Sequence, residues 1–287
     1  MTWFWLALAA ALGLATADLV TKRYFSDLDL AEIVLARFAC VAPVCVTLLI
    51  ILPWPALDHR FYFTVGMALP AEVTASFLYL RALQASPLAL TQPFLSFTPL
   101  FTLLPSQMLL GELPSWAGYL GMGLLAAGAY GLNLHRVGAG WREPLLAIGR
   151  EQGSWMMLVV SVIFGYTSVL GRQGALLSTP LFMGALYPLP AGACVYLAVG
   201  LAGKMRWRWL RRPWPLAALS ACIGVEIVCH FLAISQVQTA YMIAVKRMSP
   251  LFAVLWGAWL LGEGRLAQHL LASAVLVAGA VVVALWG

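Results

Sequence analysis

AYMIAVKRMSPLFAVLWGAWLLGE, residues 240–263, decides the fold, because the chain carries a second copy of it. Shifted by 151 positions, Pro250-Leu251-Phe252 lies on Pro99-Leu100-Phe101, and Leu260-Leu261-Gly262-Glu263 lies on Leu109-Leu110-Gly111-Glu112, with no gap between. Eight of the fourteen residues in 99–112 are identical to their counterparts. A period of about half the chain marks an internal duplication. The copies differ in one informative place. Lys246-Arg247 stands where the first copy has Leu95-Ser96, so two charges enter a helix whose twin has none.

The chain around this repeat is apolar. Of its 287 residues, 62% are hydrophobic and 10% charged, with a mean hydropathy of +0.89, far from the balance of a soluble domain. A bilayer is crossed by about 20 apolar residues. Charges and Pro and Gly clusters divide the chain into ten such stretches, near residues 2–20, 30–52, 61–82, 87–110, 114–133, 153–172, 179–201, 214–235, 238–261 and 265–286. Stretches this long and evenly apolar do not alternate as barrel strands do, and helices satisfy their own backbone in lipid. The expectation is an all-α polytopic membrane protein with ten transmembrane helices. Its longest connection, 134–153, has no room for a globular catalytic module.

The net charge of +6 does not point to nucleic acid, because basic residues beside apolar spans are the ordinary orientation signal. Of the 17 Lys and Arg, three (Arg37, Lys246, Arg247) fall inside spans, twelve on the face of the odd-numbered connections, and only Arg60 and Arg172 on the other. This asymmetry predicts non-cytoplasmic termini. The five Cys (Cys40, Cys45, Cys194, Cys222, Cys229) show no metal-ligand spacing, so neither metal nor cofactor is expected.

Several polar residues break the apolar pattern. Asp18 reads as a solvated end of span one. In span two, Glu32 and Arg37 lie five apart and on different helix faces; Arg37 either snorkels to the interface or enters a polar cavity. Span three carries Pro70, then Glu72 at mid-depth, where an ionisable group usually faces a bundle interior or wet cavity, with Tyr79 roughly beneath it. Span four holds Pro87, Pro93, Pro99 and Pro105, which predict an irregular helix whose freed carbonyls border a cavity. Gln92 and Ser96 share one of its faces.

In span eight, Glu226 and His230 are four apart and share a face. Shifted by 151, His230 falls on Tyr79, so each half directs a hydrogen-bonding ring to an equivalent depth. A Glu/His pair in mid-membrane points to a proton or substrate site. Lys246 and Arg247 follow in span nine and need something negative nearby; Glu72, Glu226 and a bound anion are the candidates. The two Gly-Glu endings, at Glu112 and Glu263, are expected to shape the hairpins into spans five and ten.

The paired Pro-Leu-Phe, apolar run and Leu-Gly-Glu, followed in each half by small-residue spans (residues 121–131 and 272–280), resemble the drug/metabolite transporter superfamily. The closest likeness is to its ten-span members built from two EamA-type halves. The resemblance implies repeats at 1–134 and 153–287 joined by a loop at 135–152. Five spans per half invert one repeat relative to the other, the plan that allows alternating access about a midplane site. It also implies that spans one to four and six to nine surround a cavity, with spans five and ten peripheral. The Lys-Arg dipeptide resembles the phosphate-holding pair of the triose-phosphate translocator branch, although a carboxylate would satisfy it equally.

The resulting expectation is a secondary active transporter, an exporter or exchanger of a small anionic or zwitterionic metabolite such as an amino acid or organic phosphate. Lys246, Arg247, Glu226, His230, Tyr79, Gln92 and Ser96 are its candidate substrate contacts, and Glu72, Glu226 and His230 its candidate proton-coupling groups. The alternative is a lipid translocase or lipid-binding protein with a laterally open cleft. The expected partners are a small-molecule substrate, membrane lipids, and a proton or counter-substrate, with a monomer or homodimer in a bacterial inner membrane. No enzyme is expected, for the chain has no His-Glu-x-x-His or Gly-x-Ser-x-Gly motif.

Overall fold

The computed structural model describes residues 2–86, 92–131, 152–249, 251–252, 256 and 266–286. Among them every regular element is helical. They are α1 (Thr2–Phe25), α2 (Leu30–Ile51), α3 (His59–Ala85), a 3-10 segment (Gln92–Phe97) running into α4 (Thr98–Leu110), α5 (Trp116–Gly131), α6 (Gln152–Leu177), α7 (Pro180–Leu186) with α8 (Pro188–Leu201), a 3-10 turn (Arg208–Arg211), α9 (Pro213–Ile234), α10 (Thr239–Lys246) and α11 (Leu266–Trp286). With α7 and α8 taken as one span, six helical segments are long and apolar enough to cross a bilayer: α1, α2, α3, α6, α7–α8 and α9.

Local sequence explains the boundaries. Asp58 accepts from the Phe61 backbone at the start of α3, and Asp29 forms a capping box with Glu32 at the start of α2. Gly111 ends α4 at φ 66°, where a Cβ would be strained. The proline-rich fourth span is irregular as its sequence predicts. It winds as a 3-10 helix to Phe97 before α4 begins. In the second half α10 stops at Lys246, and Arg247 is its C-cap. The two breaks fall at nearly the same register of the 151-residue repeat.

Helices that the duplication makes equivalent pack equivalently. α1 lies on α9 and α3 on α6, while α5 pairs with α11. Because α1 corresponds to α6 and α9 to α3, the first two contacts are one contact seen from each half. The α5–α11 pair meets through glycine: a Cβ on Gly279 would stand 2.7 Å from the Leu125 nitrogen, and one on Gly121 would stand 2.6 Å from Val283 Cγ2. In lipid, close backbone approach of this kind replaces the hydrophobic effect as the source of helix association.

Two ionic systems mark opposite faces. On one, Thr2 donates to Gln236 at 2.6 Å and Ser115 Oγ donates to the Trp286 carbonyl at 3.0 Å. Glu112 there pairs with Arg172 at 2.5 Å and accepts from the Thr239 nitrogen and hydroxyl, both at 3.0 Å. Glu112 therefore caps α10 and ties it to α6, while its backbone nitrogen donates to the Ser106 carbonyl at 3.2 Å in the turn that ends α4. Glu263 lies outside the described residues. On the other face the basic stretch 206–212 meets acids of the α1–α2 connection.

Candidate functional site

A cavity of about 230 Å³ lies between the two halves, walled by α1, α2, α3, α6, α8, α9 and α10 together with Tyr187 at the α7–α8 junction. Of the residues singled out from sequence, Glu72, Tyr79, Glu226, His230, Lys246 and Arg247 all line it. Ser96 is buried with its hydroxyl unpartnered, but it is not part of the cavity wall. The side chain of Gln92 lies outside the described residues.

The second-half cluster follows from helix geometry. Glu226 and His230, one turn apart on α9, face Lys246 at the last turn of α10. The Lys246 ammonium donates to the Glu226 carboxylate and lies 2.9 Å from His230 Nδ1. Both cations sit where α10 ends, and the exposed carbonyl dipoles of a helix C-terminus favour positive charge there. Arg247 differs from its neighbour. It is 3% exposed, its Nε has no hydrogen-bond partner, and its guanidinium stands 5.7 Å from the centre of the Phe164 ring.

The first half contributes a cluster that the sequence reading missed. Asp18 is 1% exposed, not a solvated helix end. It receives Arg37 at 2.8 Å and the Tyr79 hydroxyl, while Arg37 also donates to Thr21 at 3.2 Å. Arg37 thus takes the cavity side of its two alternatives. The one signal the sequence offered is that Asp18 and Thr21, three apart, share a face of α1. Glu72 accepts from the Tyr187 hydroxyl at 3.4 Å and is hydrogen-bonded by Thr167. Tyr187 carried no sequence signal, because its role depends on the turn of the chain into Pro188.

A charged cavity among broken helices suits the handling of a polar solute. Residues 1–134 match the model of the EamA-like transporter family. This half of the chain belongs to the EamA-like transporters. They are a branch of the drug/metabolite transporter superfamily, and with six described helices long and apolar enough to cross a bilayer the chain is an integral, multi-pass membrane protein. A solved crystal structure is similar over the whole chain, with a TM-score of 0.76 at 18% identity, covering 100% of this chain and 99% of that one. At that identity the likeness concerns the fold. No curated protein matches by sequence. The EamA-like match covers Asp18, Arg37, Glu72 and Tyr79, whereas Glu226, His230, Lys246 and Arg247 lie beyond it.

Proposed function

We propose that this EamA-like protein is a secondary active transporter of a small zwitterionic or anionic metabolite, bound at the cavity between two inverted repeats, 1–134 and 153–287. The observation that carries the reading is the charge left over in the cavity wall. Arg37 is neutralised by Asp18, and Lys246 by Glu226. Arg247 and Glu72 enter no ion pair among the described residues. One unmatched cation and one unmatched anion face a common space. A buried charge without a partner is costly, and a guest carrying the opposite charges removes both costs at once.

The same bookkeeping ranks substrates within the class. A zwitterion leaves the cavity neutral with Glu72 ionised. A phosphate dianion requires Glu72 to be protonated and a second cation to be released from its own acid. The volume of about 230 Å³ lies below the roughly 300–1,000 Å³ of sites for drug-sized ligands, which favours a compact metabolite such as an amino acid.

Alternating access about this site is supported by the repeated contacts α1–α9 and α3–α6 and by the breaks at residues 97 and 247, since discontinuous helices are where such folds place their substrates. Lys246 gives a coupling route. When a carboxylate draws the ammonium away, Glu226 loses its cation, and a proton on Glu226 or His230 restores neutrality. The position of both chain ends opposite the basic stretch 206–212 supports termini outside the cytoplasm by the positive-inside rule.

The test is uptake of radiolabelled amino acids into proteoliposomes, with and without a pH gradient. The proposal expects saturable uptake that Arg247→Ala abolishes. Uptake unchanged in that variant, or no transport of any zwitterionic or anionic solute, refutes it.

A further inference from the structure

The basic face is closed by a charge zipper between the halves. From the α1–α2 connection and first turn of α2 come Asp27, Asp29 and Glu32; from 206–212 come Arg206, Arg208 and Arg212. Arg206 meets Asp29 at 2.8 Å, Arg208 meets Glu32 at 2.5 Å and Asp29 at 3.4 Å, and Arg212 meets Asp27 at 2.5 Å. Every pair joins one repeat to the other.

The duplication separates this feature from the permanent framework. Arg172 donates to the Val237 carbonyl and, one position away in the repeat, Lys22 donates to the Ser86 carbonyl at 3.2 Å; Val237 and Ser86 are 151 apart, so both halves have this tie. The zipper has no such twin. At the 151-residue offset its acids become Ser178, Pro180 and Met183, and its arginines become Pro55, Leu57 and Phe61. Phe61 and Met183 belong to one apolar cluster, with Leu57 packed against it. The same position is therefore sealed by charge on one face and by hydrocarbon on the other.

We infer that the zipper is the gate through which the cavity opens to the basic side, an inference resting on the transporter reading above. α2 and α9, which carry Glu32 and Arg212 at their ends, pack together and carry Arg37, Phe38, Ile223 and Glu226 of the cavity wall farther down. Parting them at the zipper opens a path to the site. The seal is made to part. Glu32 is buried, but the Arg206–Asp29 pair is exposed at 61% and 57% and Asp27 at 62%, so these outer pairs rehydrate on separating and hold weakly. Trp209 is buried beneath, with its indole Nε1 unpartnered, a donor that gains a water partner on opening.

The experiment places one cysteine at Ser76, a cavity-wall position, in a background lacking the five native cysteines, and measures labelling by a membrane-impermeant maleimide in inside-out and right-side-out vesicles. Neutralising the zipper (Asp27→Asn, Asp29→Asn, Arg206→Gln, Arg212→Gln) should raise labelling from the basic face about tenfold, with no rise from the other. High salt should do the same to the otherwise intact protein but not to the neutral variant. The swap Asp27→Arg with Arg212→Asp should restore slow labelling. Labelling from the basic face that ignores both neutralisation and salt overturns the gate. No substrate is used, so the result stands apart from the fate of the substrate assignment.

Discussion

The guanidinium of Arg247 faces the Phe164 ring at 5.7 Å, whereas Lys246, one residue earlier, is held by Glu226 and His230. Two adjacent cations thus have different states in the same wall. The paired one is part of the structure, and the unpaired one is available.

This difference predicts opposite effects on stability. Glu226→Ala leaves Lys246 buried without its counter-ion and should destabilise by about 3–5 kcal/mol. The double variant Lys246→Met with Glu226→Leu should come within about 1 kcal/mol of wild type. Arg247→Ala removes an unmatched charge and should not lower the melting temperature. Thermal unfolding of the detergent-purified variants checks all three, and equal losses for Glu226→Ala and Arg247→Ala would remove the distinction between the two cations.

A second pair of substitutions tests the framework on the face of the chain ends. Glu112 holds Arg172 and caps α10 through Thr239. Glu112→Ala should therefore cost about 3 kcal/mol, close to the figure for breaking a buried pair. Exposed Asp58, which caps α3 by one bond, should cost about 1 kcal/mol when changed to Ala. Chemical denaturation in mixed micelles ranks the two.

The peripheral pair is sensitive to volume rather than to charge. Gly279→Val forces methyl groups onto the Leu125 backbone and should destabilise by about 1–3 kcal/mol or more. Because α5 and α11 do not line the cavity, the surviving protein should keep its substrate affinity. A loss of affinity without a loss of stability would contradict that separation.

On the basic face, the hydrogen bond from Arg212 holds the Asp27 carboxyl below its ordinary value of 3.8. A depressed carboxylate pKa stabilises the folded state above the unfolded value, and that stabilisation is lost as pH falls through the folded one. The melting temperatures of wild type and Asp27→Asn should differ by a small constant amount from pH 7 to about pH 4 and converge below that. The effect is small because Asp27 is 62% exposed. Curves that diverge further in acid would contradict the pairing.

Apolar length made the helical class legible and the prolines made the irregular fourth span legible, because both are one-dimensional signals; the break at Arg247 has no proline before it in α10 and was not legible. Glu72, Tyr79, Glu226, His230, Lys246 and Arg247 were legible for a related reason: each is a polar group in an apolar run. Asp18 was misread because its position near a helix end is equally natural for a solvated residue, and only the folded chain brings Arg37 of α2 to it. The zipper was invisible for the same cause. Its acids and bases are 176 or more residues apart, as Arg208 and Glu32 show, and each stretch alone reads as an ordinary solvated connection. Sequence marked the charges, and three-dimensional pairing decided which of them were left over.

The central claim is that Arg247 and Glu72 hold opposite ends of one zwitterionic guest. Its most direct test is the shift in melting temperature on adding a panel of amino acids, their methyl esters and their deaminated acids to wild type, Arg247→Ala and Glu72→Gln. Wild type should be stabilised by at least one amino acid and much less by its ester or deaminated form. The advantage over the ester should vanish in Arg247→Ala, and the advantage over the deaminated acid should vanish in Glu72→Gln. Stabilisation that survives undiminished in both variants would contradict the account.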